Sequence, residues 1–257
     1  MKRRDFLKHS LVFVSGTTAS LGGLALIDVR EVLAARPEVR WGFLVDTYKC
    51  VGCGFCVKAC KIENDIPLEA NVTRTWVERY LLLRDGRVLA DSPQGARDGF
   101  TDPRVDRASA GLETVPDEQI ASAFFVPKLC NQCDNPPCVQ VCPVGATYQT
   151  GDGVVLVDRK WCIGCGYCIM GCPYGVRFFH PSEHVADKCT FCYHRIDQGL
   201  DTACAQACPF GARRVGNLRD PEDPIAKVLL SQRVGVLKDE FGTKPQVFYL
   251  GLNKEVR

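Results

Sequence analysis

The sequence predicts a loop-rich α+β fold in which short helices and hairpins surround groups of cysteines. Sixteen of the 257 residues are cysteines, and they fall into four compact groups with related spacings. Between the groups, β-prone stretches flank turn signals such as Gly-Asp-Gly, which are typical of short hairpins. The hydrophobic content of 46% is ordinary for a globular chain, so covalent cross-links are not needed in place of a core.

Residues 1–34 predict an export signal. The stretch KRRDFLK at 2–8 resembles a twin-arginine signal, and a weakly hydrophobic segment follows at 11–27. The pattern VLA at 32–34 places the expected cleavage before residue 35. We therefore expect export to the periplasm in the folded state. The alternative is a basic chain terminus followed by an ordinary amphipathic helix.

Charge and hydropathy exclude two classes of function. The formal net charge is +2, so the composition gives no reason to expect nucleic acid binding. No uninterrupted stretch reaches the roughly 20 strongly apolar residues of a membrane-spanning helix. We expect a body without membrane spans that is at most peripheral to a membrane.

The four cysteine groups are the strongest signal in the chain. Groups one and three share the spacing C-x2-C-x2-C-x3-C, and groups two and four keep its C-x2-C start and C-x3-C end. Groups two, three and four each continue as Cys-Pro-x-Gly. The groups are Cys50, Cys53, Cys56 and Cys60; Cys130, Cys133, Cys138 and Cys142; Cys162, Cys165, Cys168 and Cys172; and Cys189, Cys192, Cys204 and Cys208.

These spacings indicate iron–sulfur clusters. Three cysteines on a tight loop with glycine can wrap one cubic cluster, and the fourth, often followed by proline, ligates the partner cluster in two-cluster ferredoxins. The groups must therefore work in pairs, which predicts four [4Fe–4S] clusters bound through iron to all sixteen cysteines. Spacing alone leaves open which of the three possible pairings is used. The loop glycines are Gly52, Gly54, Gly164 and Gly166.

Three other uses of the cysteines are weighed against clusters. A zinc-binding structural module would need four ligands from two C-x2-C pairs, and it has no use for the longer run. Cysteines two residues apart on a tight loop are poorly placed to bridge one another in a disulfide framework. Covalent haem requires C-x-x-C-H, but Tyr193 separates Cys192 from His194. We expect His194 to lie at the surface or behind the ligands rather than to bind metal.

Basic residues crowd the cysteine groups. A cluster with four thiolates is anionic, so nearby cations would favour its reduced form and raise its potential. The alternative is an ordinary solvated charged face, and the sequence leaves both interpretations open. The residues are Lys49, Lys58, Lys128, Arg159, Lys160, Arg177 and Lys188.

The remaining segments predict hairpins, a loop and a tail. One hairpin is expected over residues 75–89 around Arg84-Asp85-Gly86, and another at 147–160 around Gly-Asp-Gly. The polar stretch 91–119 predicts an exposed loop or insertion. The tail predicts a helix over 224–237 and a strand over 246–250.

Two stretches carry a resemblance to a known family. They are CNQCDNPPCVQVCPVGATY from Cys130 and KCTFCYHRIDQGLDTACAQACPFGAR from Lys188. With the four groups, they resemble the four-cluster ferredoxin-type electron-transfer subunit of complex molybdopterin oxidoreductases. This is the dimethyl sulfoxide, polysulfide, thiosulfate and tetrathionate reductase group, with related respiratory membrane complexes. The resemblance covers roughly Trp41 to Gly216.

The resemblance implies a nested pairing, group one with group four and group two with group three. Cluster 1 would be held by Cys50, Cys53, Cys56 and Cys208, cluster 2 by Cys189, Cys192, Cys204 and Cys60, cluster 3 by Cys130, Cys133, Cys138 and Cys172, and cluster 4 by Cys162, Cys165, Cys168 and Cys142.

The same resemblance implies two ferredoxin-like modules, of the bacterial 2[4Fe–4S] kind, one inserted in the other. The outer module would comprise residues 35–123, with the hairpin and loop insertion, and residues 186–257, with the C-terminal tail. The inner module would comprise residues 124–185.

The implied function is one-electron relay rather than catalysis, and the sequence offers no plausible catalytic residues. The expected partners are a quinone-interacting membrane subunit of the polysulfide-reductase type and a molybdopterin catalytic subunit. In a second version, the same relay serves a complex like those of sulfate reducers, linked to a multihaem cytochrome subunit without molybdenum. A third possibility is a self-sufficient enzyme, which would turn over as an isolated subunit.

Overall fold

A computed structural model of the protein describes residues 38–100 and 115–256. The predicted export signal at 1–34 and the middle of the predicted loop at 91–119 lie outside the described residues. Short strands and helices joined by loops make up the described part, which confirms the α+β class. The strands are β1 (Trp41–Asp46), β2 (Thr75–Leu83), β3 (Val88–Asp91), β4 (Ile120–Leu129), β5 (Thr147–Gln149), β6 (Val155–Val157), β7 (Phe178–Phe179), β8 (Ala186–Asp187), β9 (Arg213–Asn217) and β10 (Val247–Leu250). The helices are α1 (Phe55–Glu63), α2 (Pro137–Gln140), α3 (Tyr167–Met170), α4 (Tyr193–Ile196), α5 (Ala203–Gln206) and α6 (Pro224–Ser231), with 3₁₀ turns at Pro93–Ala96, Asp117–Gln119 and Asp239–Phe241.

Strand β1 is the centre of a three-stranded sheet, parallel to β10 on one edge and antiparallel to β9 on the other. Phe43 and Val45 are fully buried in the main core. Leu44, which points to the opposite face, packs in a second cluster with Ile225 of α6. The sheet therefore places the residues just before group one beside those that follow group four.

Strands β3, β2 and β4 form an antiparallel sheet in that order. The predicted hairpin is confirmed as β2 and β3, and Gly86 in its turn has φ 87°. Strand β4 was not expected from the sequence, because Pro127 interrupts its apolar run. Pro127 faces Val77 in the register, and the missing N–H is tolerated because β4 is an edge strand.

Two short hairpins accompany the middle cysteine groups. Strands β5 and β6 pair antiparallel, which confirms the hairpin predicted around Gly-Asp-Gly. Gly153 of that turn has φ 91°, a value that side chains rarely allow. Strands β7 and β8 form the second hairpin, which lies between groups three and four.

The predicted tail helix over 224–237 is wrong at its end. Helix α6 begins after Asp223, whose carboxylate caps the first turn, and it stops at Ser231. The chain then becomes extended because Gly235 makes an antiparallel β-bridge with Tyr249. The strand predicted after the helix is confirmed as β10.

Candidate metal centres

The loops of groups one and three have the same local geometry. Gly54 and Gly166 each precede a helix in the left-handed conformation, with φ 77° in both. At Gly54 a Cβ atom would stand 2.3 Å from the backbone oxygen of Ala96, so no larger residue fits there without a backbone shift. The sequence repeat is thus also a repeat of backbone shape at the start of each helix.

Three cavities are each lined by four cysteines drawn from two distant groups. Their empty volumes are about 320, 270 and 320 Å³. In chain order of their first cysteine we call them site 1, site 2 and site 3. Site 1 is lined by Cys50, Cys53, Cys56 and Cys208, site 2 by Cys60, Cys189, Cys192 and Cys204, and site 3 by Cys130, Cys133, Cys138 and Cys172.

The other four cysteines, Cys142, Cys162, Cys165 and Cys168, are not brought together by any of these cavities. Helix α2, which ends shortly before Cys142, packs against helix α3, which carries Cys168. The sulfur of Cys142 accepts the amide of Thr147 at 3.4 Å, and the sulfur of Cys162 accepts that of Ala186 at 3.4 Å. Cys168 is buried, whereas Cys165 is exposed.

Further polar groups point at sulfurs of the first two sites. The amide of Phe191 donates to Cys189 Sγ at 3.4 Å, and that of Ala212 donates to Cys208 Sγ at 3.3 Å. Hydrogen bonds to ligating sulfurs stabilise the added electron of a cluster and raise its potential. These backbone donors are fixed by the turns that follow each cysteine.

The thiols fit iron–sulfur ligation in their chemistry and burial. None of the sixteen cysteines forms a disulfide. Burial raises the pKa of Cys56 to about 11 and that of Cys133 to about 12, so these thiols are protonated in the iron-free protein and release protons when they bind iron. At Cys142, burial is outweighed by amides including that of Thr147, which lower the pKa.

A centre with a single metal ion would need its ligands closer together than a cluster does. Within residues 38–100 and 115–256, no three His, Cys, Asp or Glu side chains stand close enough to hold a single metal ion. His194, which we expected not to bind metal, is largely exposed, and its Nε2 lies 2.6 Å from Oε1 of Glu63.

The basic residues near the cysteines differ in burial and in partners. Lys128 is buried and pairs with Glu78, and Arg159 pairs with Glu183. Lys49 and Lys58 are exposed and pair with carboxylates, as expected of a solvated face. Arg177 and Lys188 are buried among the cysteines. Arg213, which the sequence interpretation missed, is also buried and lines site 1.

The internal repeat could have identified Arg213. The informative position is the sixth residue of each stretch that begins Cys-Pro-x-Gly, just after a small apolar residue. The three stretches continue as CPVGAT, CPYGVR and CPFGAR. Their sixth residues are Thr147, Arg177 and Arg213, so the two arginines occupy one position of the repeat.

Comparison with known proteins decides the family. Residues 49–146 match a family described as a 4Fe-4S dicluster domain, and residues 121–218 match another with the same description. A tetrathionate reductase subunit of Salmonella typhimurium is 42% identical over 98% of this chain and 88% of its own length. A tetrathionate reductase subunit of Archaeoglobus fulgidus is 41% identical over 83% of this chain and 83% of its own length.

The chain belongs to this family of iron–sulfur subunits. A further relative is the Hdr-like menaquinol oxidoreductase iron-sulfur subunit 1 of Archaeoglobus fulgidus, which is 32% identical over 86% of this chain and 86% of its own length. The iron–sulfur subunit is an electron-transfer component of a reductase complex and not its catalytic subunit. Two dicluster domains with sixteen cysteines fit four [4Fe–4S] clusters, so the zinc alternative is not supported. None of the described helices is long and apolar enough to cross a membrane.

Proposed function

We propose that this chain relays single electrons through four [4Fe–4S] clusters between a quinone-reactive membrane subunit and a molybdopterin catalytic subunit. Clusters of this kind supply one-electron redox chemistry, and four thiolates leave them no open coordination position. The chain's own residues provide the thiolates, exclude water and set the charge around each site. The observation that carries the proposal is that three separate cavities are each lined by four thiols from two distant groups.

The ligand assignment follows the three cavities and the cysteines left over. Sites 1, 2 and 3 use the cysteines that line them. Site 4 uses the remaining set, supported by the packing of α2 against α3 and by the burial of Cys138 and Cys168 in one small core. The set for site 4 is Cys142, Cys162, Cys165 and Cys168.

The four sites follow one another in a line. Burial raises the pKa of Cys189 above its usual range, and the neighbouring thiols of Cys204 and Cys130 add to the effect. Cys189 belongs to site 2 and Cys130 to site 3, so these sites are neighbours. Cys204 of site 2 likewise contributes to the raised pKa of Cys56 in site 1, after burial. Site 4 adjoins site 3 because α2, which carries Cys138, packs against α3, which carries Cys168. The proposed order is therefore 1, 2, 3, 4.

The modules are nested, with the inner one at 124–185 and the outer one at 35–123 and 186–257. Helix α1 of group one packs against α5 of group four, and β1 pairs with β9 and β10. Helices α2 and α3 of groups two and three pack against each other. Each set of contacts joins the two groups that one module requires.

The partners dock at the two ends of the line. Around site 4, Trp161, Ile163 and Met170 are exposed beside the exposed Cys165. Around site 1, Phe55 and Phe210 are exposed. Exposed apolar side chains of this density favour protein interfaces, and the two ends are where electrons must enter and leave.

The membrane partner is of the polysulfide-reductase type, and the chain is held peripherally through it in the periplasm after folded export by the twin-arginine route. The menaquinol oxidoreductase relative favours a quinone on that side. The same relative is compatible with the second version, in which a cytochrome subunit replaces the molybdopterin subunit.

Purification of the native complex tests the relay. We expect a quinone-reactive membrane chain and a molybdopterin chain to co-purify, with about sixteen iron and sixteen sulfide per copy of this subunit. Haem in place of molybdenum would select the second version. Stoichiometric zinc without sulfide, or turnover by the isolated subunit, would contradict the relay.

A pair of substitutions four residues apart tests the nested pairing. Cys204→Ser should perturb the same electron paramagnetic resonance signal as Cys60→Ser, and Cys208→Ser the same signal as Cys56→Ser. If Cys204→Ser and Cys208→Ser perturb one common signal and leave the others intact, the assignment of sites 1 and 2 is wrong.

A further inference from the structure

Three buried cations lie between the four sites, one at each junction. Arg213 lines site 1, and its Nη1 donates to Oγ1 of Thr75, a residue that lines site 2. Arg177 lines site 3, and its Nη1 donates to Thr147, whose amide donates to the sulfur of Cys142 of site 4. Both guanidinium groups therefore stand where two neighbouring sites meet.

Lys188 occupies the remaining junction. Its side chain is fully buried, and it lies between Cys189 of site 2 and Val155, a residue that lines site 3. The ammonium group donates to the carbonyl of Cys189 at 2.8 Å and to that of Val155. It thus bridges the start of group four to the inner hairpin.

The two arginines are held in the same way. Arg213 donates from Nη1 to Thr75 Oγ1 at 2.8 Å, and Arg177 donates from Nη1 to Thr147 Oγ1 at 3.3 Å. The other terminal nitrogen, Nη2, has no hydrogen-bond partner in either case among the described residues. Their common place in the Cys-Pro-x-Gly repeat explains the shared geometry.

The compensating charge for these cations has to come from the sites themselves. Within the described ranges, none of the three forms an ion pair with a carboxylate, unlike the buried Arg74, which pairs with Asp187. A buried charge without a partner is strongly destabilising, so a fixed cation at each junction requires anionic groups beside it.

We propose that Arg213, Lys188 and Arg177 are shared tuning cations, each of which raises the reduction potentials of the two cluster sites that flank it. The inference rests on the proposed relay and deepens it. A positive charge between two sites stabilises the added electron on either side, so it moves both potentials in the same direction and keeps the step between them nearly level. Each site at an end of the line has one such neighbour, and sites 2 and 3 have two.

Redox titration of the intact holoprotein tests the proposal, with the four signals followed by electron paramagnetic resonance. Arg213→Gln should lower the midpoint potentials of sites 1 and 2, and Arg177→Gln those of sites 3 and 4. At a fixed potential we expect at least a tenfold fall in the ratio of reduced to oxidised cluster, which corresponds to about 59 mV for one electron. Lys188→Met should lower the midpoint potentials of sites 2 and 3 only.

Charge-retaining variants are the matched controls. Arg213→Lys and Arg177→Lys should return the potentials most of the way to wild type. Equal shifts at all four sites, or no shift with full iron content, would overturn the proposal while leaving the relay intact. If the Gln variants lose iron, the Lys variants decide: retained clusters support a need for the charge, whereas loss in both shows a role of side-chain shape and contradicts the proposal. Wild-type iron and sulfide content, measured in parallel, tests the relay separately.

Discussion

Arg74 forms a buried two-pronged ion pair with Asp187, with Nη2 2.8 Å from Oδ1 and Nε 3.0 Å from Oδ2. Its third nitrogen, Nη1, donates to Asn64 Oδ1 at 2.5 Å. Asn64 in turn donates to the carbonyl of Cys60 at 2.8 Å and lies 3.6 Å from its sulfur. The pair thus connects β8 to the segment before β2 and orients an amide against a sulfur of site 2.

Arg74→Met should lower the free energy of unfolding by about 3 kcal/mol, because the buried Asp187 would lose its two-pronged partner and keep only the longer ion pair with Arg159 at 3.9 Å. Urea unfolding of the holoprotein, followed by circular dichroism, measures the change. Arg87→Met is the control, since Arg87 is exposed and pairs with an exposed Asp85. Equal losses in the two variants would show that burial of the Arg74 pair is not the cause.

Gly54→Ala should prevent cluster binding at site 1. The new methyl group would stand 2.3 Å from a backbone oxygen, and φ of 77° is already unfavourable for alanine. The expected readout is loss of one four-iron cluster in iron analysis. Gly175→Ala is the matched control, because Gly175 has φ 63° but nothing within 4 Å of a Cβ atom. A full complement of iron in Gly54→Ala would contradict the requirement for glycine.

Lys61→Met should loosen the loop that follows α1. The ammonium of Lys61, only 2% exposed, donates to the carbonyls of Pro67, Leu68 and Ala70 at 3.1, 3.2 and 2.5 Å. Loss of this donor should cost about 1 to 3 kcal/mol and accelerate hydrogen exchange over residues 64–74. Lys58→Met, on the exposed side of the same helix, should leave that exchange unchanged. Equal protection from hydrogen exchange over residues 64–74 in the two variants would show that the Lys61 ammonium does not hold this loop.

Glu63 should make a pH-dependent contribution to stability. Its hydrogen bond with His194, against the effect of burial and helped by Arg195, lowers the pKa of Glu63 below its usual 4.5. A carboxyl whose pKa is lower in the folded state stabilises the fold above the unfolded pKa and loses that contribution as pH falls through the folded value. Glu63→Gln should therefore reduce the melting temperature near neutral pH, and the difference from wild type should shrink below about pH 4.5.

The control for this prediction is Glu222→Gln, which removes an exposed pair with Lys227. It should change the melting temperature little at any pH. A wild-type advantage over Glu63→Gln that grows on acidification would reverse the expected sign and contradict the lowered pKa.

The sequence predicts the local shape of the cysteine loops well because the chemistry is local. Gly54 and Gly166 both take the left-handed conformation that their repeat position requires. The sequence fails where distant segments decide. Pro127 conceals a strand that is possible only at a sheet edge, and Gly235 leaves the expected helix to bridge Tyr249.

The buried cations show the same limit of sequence-based prediction within the candidate sites. Lys49 and Lys188 each adjoin a cysteine and look alike in sequence, yet one is exposed and the other is fully buried. The two lysines differ in burial only because cysteine groups far apart in the chain converge around Lys188. Arg213 was missed although it shares a repeat position with Arg177, because Thr147 fills that position in the first of the three stretches and hides the pattern.

The central position of β1 dictates when the protein can finish folding. Both of its neighbours, β9 and β10, are made near the end of the chain, about 170 to 200 residues later, and such long loops are slow to close. While the ribosome is still at work, β1 has no partner strand, whereas the hairpin of β5 and β6 has both of its strands. The sheet of β10, β1 and β9 can therefore form only after β9 and β10 have been made, because a shorter chain offers β1 no partner strand.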